Sequence, residues 1–112
     1  MLIKTSDLIG SALDWAVAKC EGIDLFETEG WVYPEDGGRA PYKPSTDWSQ
    51  GGPIIERKSI ELGAHADHIR TVMHLEDGSV YQDGQTPLIA AMRCYVASKL
   101  GDDVDVPEGM QP

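Results

Sequence analysis

At 112 residues the chain has the length of one ordinary domain, enough to withdraw about two-thirds of its unfolded surface from water, and its 41% hydrophobic content is globular. No apolar run approaches the ~20 residues that a bilayer crossing needs, so no membrane span is expected. Nineteen Asp and Glu against nine Lys and Arg leave a net charge of −10, which disfavours direct binding of nucleic acid and suits either solubility or a basic protein partner.

The chain opens with Met1–Ile3, a short apolar stretch suited to an edge strand, and it lacks the long apolar block and cleavage site of a secretory leader. Thr5-Ser6-Asp7 is a capping cluster, and the spacing of Leu8, Ala12, Leu13, Ala16, Val17 and Cys20 predicts an amphipathic helix over about 7–21, closed by Gly22. Gly10, in its first turns, is expected to offset its low helix propensity by close packing against another helix. Residues 23–53 lose periodicity and carry repeated Pro and Gly, Gly37 and Gly38 among them. This reads as a long ordered loop with at most one short strand near Trp31-Val32-Tyr33. Its aromatics, Trp31, Tyr33, Tyr42 and Trp48, are either pinned to the core or shown to a partner.

Alternation then predicts three antiparallel strands, about 54–62, 68–75 and 79–82, with Asp77-Gly78 as a hairpin turn. A second helix follows over about 86–100. Thr86 is its N-cap, Pro87 its first residue and Gly101 its terminator, and Leu88, Ile89, Met92, Tyr95, Val96 and Leu100 fall on one face. Arg93, on the flank of that face, is expected to pair with an acid such as Asp14. Residues 102–112 form an acidic tail, expected to be largely exposed and mobile, with Val104 and Val106 available to pin its start. The expected architecture is therefore a single α+β domain over 1–101, two helices on a small sheet. An open sheet face and a free edge make a homo-oligomer plausible. Cys20 and Cys94 lie on predicted core faces and read as buried thiols, with a disulfide as the lesser alternative.

Three blocks, TSDLIGSALDWAVAKCEG, PSTDWSQGGPIIER and TPLIAAMRCYVASKLGDDVDVP, resemble the NinX-type proteins, a family of small bacteriophage proteins of undefined function. The resemblance covers about half the chain, in the family's order. It implies an accessory product acting in the cytoplasm of the infected host, and it supplies no catalytic residues. The stretch between Gly63 and Asp83 departs from the family's pattern, so ligand or partner preference is expected to differ there.

Nothing in the residues points to an enzyme. His65, Asp67, His68 and His74 fit no standard metal spacing, neither cysteine has a histidine beside it in sequence, and no phosphate loop or dinucleotide fingerprint is present. No metal and no cofactor are expected. The site candidate is instead Ser45, Thr46, Asp47, Trp48, Gln50, Gly51, Gly52 and Arg57. An indole plate, short donors, a close-approach glycine pair and a guanidinium suit a planar polar or nucleotide-like ligand. The competing structural reading has Ser45 or Thr46 capping a turn, Trp48 anchoring the core and Gly51-Gly52 as a hinge. Gln85 and Thr86, at the start of the second helix, form a secondary anion candidate, unless Thr86 only caps its own helix. Two functions follow: sequestration of a small polar molecule such as a host defence signal, or an acidic adaptor docking on a basic host protein.

Overall fold

The computed structural model describes residues 1–36 and 40–110, so Gly37 and Gly38 of the predicted loop lie outside the described residues. The architecture is α+β, three helices with small antiparallel sheets. At its centre lies the C-terminal helix, Pro87–Leu100. Its caps are those the sequence announces: the Thr86 hydroxyl accepts from the Ile89 N–H at 3.1 Å, and Gly101, at φ +86°, returns its N–H to Ala97. Burial is wider than one face, because from Leu88 to Ala97 every residue except Arg93 is buried.

Around that helix the N-terminal region supplies β1 (Leu2–Lys4), a 3-10 turn (Thr5–Asp7) and α1 (Gly10–Glu21). The helix starts three residues later than expected, and Thr5-Ser6-Asp7 does not cap it. Thr5 instead donates its hydroxyl to the Gly101 carbonyl at 2.6 Å and its N–H to Asp102, tying the turn to the end of the last helix. Gly10 is not a close-packing glycine: it stands at φ +62° with open space where a Cβ would be, so what it supplies is the left-handed entry into α1. Gly22, at φ +72°, ends the helix as expected.

The expected loop over 23–53 holds more structure than its Pro and Gly content suggests. β2 (Leu25–Thr28) and β3 (Trp31–Pro34) pair as a hairpin across Glu29 and Gly30, both at positive φ. Phe26 stacks on Tyr33 at 5.6 Å across the ribbon, and Val32 turns into the core.

The predicted strand over 54–62 is corrected. Residues 48–57 form a helix, α2 (Trp48–Arg57), and only Glu61–Ala64 is a strand, β4. The alternation of Ile54, Glu56, Lys58 and Ile60 is compatible with a strand, yet Asp47 commits the segment earlier by capping Ser49 N–H at 2.9 Å. Ser59, at φ +53°, then turns the chain into β4.

β4, β5 (Ile69–Leu75) and β6 (Gly78–Gly84) form one antiparallel sheet in the order β4-β5-β6, with Leu75 opposite Gly78 at the tight turn. The helix over 87–100, α3, packs on β5 and β6 with α1 against it. Two residues seat it. The Thr71 hydroxyl shares its one proton between the carbonyls of Gln82 and Ala90, each 2.9 Å away, and Gly84 lies so close that a Cβ there would stand 2.6 Å from Ala90 N.

The acidic tail is also corrected, because its first part is built in. Asp103–Asp105 forms β7, antiparallel to β1, and Val104, Val106 and Met110 are buried. The Val-Asp-Val alternation puts both valines on the core side while the acids face water. Cys94 is buried and Cys20 partly so, both as free thiols, and burial raises Cys20 to about 11. No helix among the described residues is long and apolar enough to cross a membrane.

Candidate ligand-binding cleft

The structure divides the eight residues singled out between Ser45 and Arg57. Asp47 spends its carboxylate on the N–H and hydroxyl of Ser49 and on Gln50 Nε2, bonds that hold it below the usual carboxylate range. Gln50 pins the preceding loop, donating to Pro41 and accepting from the Lys43 N–H at 2.8 Å. Gly51 is required by packing, since a Cβ there would collide with the Pro44 carbonyl and a Leu88 methyl, whereas Gly52 is only in ordinary range of the Trp48 ring. Ser45 is buried, its N–H donating to Asp14 Oδ1 at 2.9 Å.

Arg57 does not converge with Trp48. Its Nη2 reaches both oxygens of Glu21 at 2.7 Å, and the Tyr95 hydroxyl donates to the same carboxylate at 2.6 Å. Burial alone would raise Glu21, but these two donors outweigh it and keep its pKa low. Ser45, Thr46 and Trp48 border a shallow recess of about 210 Å³ together with Thr86, the helix cap of the secondary candidate. Gln50 and Arg57 border another, of about 310 Å³. Trp48 itself is 53% exposed rather than a core anchor.

Gln85 does not border that recess but lines a separate cleft of about 620 Å³. This cleft runs along β6 between the 3-10 turn and the first turns of α3, and its polar lining is Ser6, His68, Arg70, Gln82, Asp83 and Arg93 beside the half-exposed ring of Tyr81. Arg70 forks onto Asp83 at 2.8 and 3.0 Å, which keeps the Asp83 carboxyl well below its ordinary value. His68 Nδ1 is 2.7 Å from Asp67, and its ring stacks on His65 at 4.9 Å. Among the described residues no three His, Cys, Asp or Glu are arranged to hold a metal ion.

Arg93 is the group on which sequence reasoning erred. It does not pair with Asp14. Its Nε donates to the Leu8 carbonyl and its Nη1 to the Asp83 carbonyl, both at 2.8 Å. Among the described residues Nη2 has no hydrogen-bond partner and no carboxylate is within ion-pair distance of the guanidinium. Burial lowers its pKa, opposed by the charge of Asp7, but far too little to neutralise an arginine. One signal in the sequence pointed here: Arg93 is the single charged residue between Pro87 and Ser98, in a helix otherwise apolar over that span.

The arrangement therefore offers a fixed guanidinium with free N–H groups, an amide and an aromatic face, which suit a planar anionic molecule, beside an arginine already paired with Asp83. Comparison with known proteins agrees with the sequence blocks. A search of curated proteins found no match, whereas the family model described as Bacteriophage P22, NinX matches residues 4–99. With most of its length matched, the chain belongs to the NinX family of bacteriophage proteins.

Proposed function

We propose that this phage accessory protein is a non-enzymatic binding protein that sequesters a small, polar, nucleotide-like anion of the infected host, such as a defence signal, in the cleft beside β6. The observation that supports this reading is Arg93: a half-buried guanidinium held in place by two backbone carbonyls, with Nη2 uncommitted at the cleft wall. A phosphate meets Arg93 Nη2, Tyr81 lies against a base, and Gln85 hydrogen-bonds a polar edge. Trp48, exposed in the separate recess that Thr86 borders, provides a further plate for a ligand long enough to pass Thr86.

The test is a thermal-shift and native mass spectrometry screen of mono-, di- and cyclic nucleotides. A retained nucleotide whose binding falls at least tenfold in Arg70→Ala or Tyr81→Ala, both exposed residues of the lining, supports the cleft. No retained nucleotide across the panel overturns it. An acidic adaptor role is favoured by a different observation, the exposed carboxylates of Asp103 and Asp105 on β7 with that of Asp102 just before it. Capture of a basic host protein that is released as salt rises, and is unaffected by Arg70→Ala, distinguishes that reading.

A further inference from the structure

A second charge is buried on the other side of α1, and the cleft makes no use of it. Asp14, in the middle of α1, is 5% exposed. Its Oδ1 accepts the Ser45 N–H at 2.9 Å, while its Oδ2 accepts no hydrogen bond among the described residues. The adjacent Ser45 hydroxyl is buried with no hydrogen bond of ordinary geometry, yet it stands near enough to the carboxylate to oppose part of the rise in its pKa. This carboxylate borders a half-enclosed cavity of about 270 Å³ whose walls are Trp31, Val32 and Tyr42 and whose polar rim is Ser11 and Thr46.

The aromatic walls and the acid act in the same sense. An aromatic face attracts a cation, and a desolvated carboxylate with a free oxygen needs a charged donor. The protein already places one there: Lys43 Nζ lies 5.6 Å from the centre of the Trp31 ring, and its charge is felt by Asp14. Lys43 reaches the site on a long flexible stem, so an ammonium arriving from solution displaces it without rearranging the backbone. Burial raises the Asp14 pKa to about 6, which still leaves it ionised at neutral pH. Burial and the charges of Glu21 and Asp14 push the Tyr42 phenol upward, so the second wall stays neutral. The net charge of −10 gathers small cations at the surface.

We infer that the cavity between the β2–β3 hairpin and α1 is a binding site for a small organic cation, a primary ammonium or guanidinium group, received by Asp14 Oδ2 between Trp31 and Tyr42. This site is independent of the anion cleft, and neither proposal requires the other.

The probes are putrescine and agmatine, titrated into the full chain at 0.15 M salt and followed by amide NMR shifts and tryptophan fluorescence. Saturable shifts centred on Ser11, Asp14, Val32, Tyr42 and Thr46, weakened at least tenfold by Asp14→Asn and severalfold by Trp31→Ala, are expected. Asp103→Asn, which removes an exposed acid on β7, is expected to leave the affinity unchanged. Trp31 is about half exposed, so its alanine variant keeps the test open even if Asp14→Asn fails to fold. Shifts spread over the acidic surface, equal losses in the Asp103 and Trp31 variants, or no saturable binding by either amine would each overturn the inference.

Discussion

Arg93 and Asp14 are both charged, both withdrawn from water and both without an ion-pair partner, yet the fold accommodates them differently. Arg93 gives two of its N–H groups to the carbonyls of Leu8 and Asp83, which suits a delocalised cation that hydrates weakly. Asp14 receives a single backbone N–H and is left with an oxygen on a cavity wall. The first is a charge fixed in position with three N–H groups still to give, and the second is a charge still short of a donor.

Each of the two regions depends most on one glycine that holds it closed. Gly84 brings β6 against Ala90 beneath the cleft, and Gly51 brings α2 against Pro44 beside the Asp14–Ser45 contact. Alanine at either position meets backbone, so each variant is expected to lose about 3–5 kcal/mol in urea denaturation. Gly84→Ala should disturb nucleotide binding before cation binding, and Gly51→Ala the reverse.

A smaller effect separates the two charges by pH. Asp14 is raised from 3.8 to about 6 in the folded state, so the folded protein binds its proton more tightly than the unfolded chain. Its contribution to stability is thus greatest below pH 4, falls as pH rises through 4 to 6, and stays lost above that. The shift corresponds to about 3 kcal/mol. Asp14→Asn removes this slope, so its stability relative to the parent should improve between pH 4 and pH 7.5. Denaturation at the two pH values measures it, and parallel curves would show that Asp14 is not desolvated. The arginine offers no such dependence in this range, because its guanidinium stays charged throughout.

The smallest effect belongs to a charge that does have a partner. Arg57→Ala removes a half-exposed arginine from Glu21, and with Tyr95 still donating to that carboxylate the loss should be about 0.5–1 kcal/mol, less in high salt. Neither nucleotide nor amine binding should change.

What the sequence disclosed follows from how local each signal is. Thr86, Pro87 and Gly101 delimit α3 through bonds no longer than one helical turn, and the β5–β6 hairpin is announced by residues beside its own turn. α2 is hidden in the sequence because residues 54–62 can be read as two strand faces, while the cap that decides its conformation lies before that run and Gly51 is required only by a tertiary approach to Pro44. The site residues were legible by type and not by partner. Ser45 and Asp14 are 31 positions apart, and Arg93 is anchored by carbonyls whose own residue types, Leu8 and Asp83, are irrelevant to the bond. Trp48 and Thr86 were singled out separately, and only the packing of α2 on α3 shows that they share one recess.

The enclosure of α3 has a consequence for how occupancy is read. With β5, β6, α1 and α2 packed around it, the amides of Ala90 to Val96 reach solvent only when the whole molecule opens. Deuterium uptake at those positions therefore tracks global stability, which any tightly held molecule raises by mass action. Slower labelling there registers the total binding energy of the protein, whichever recess is filled.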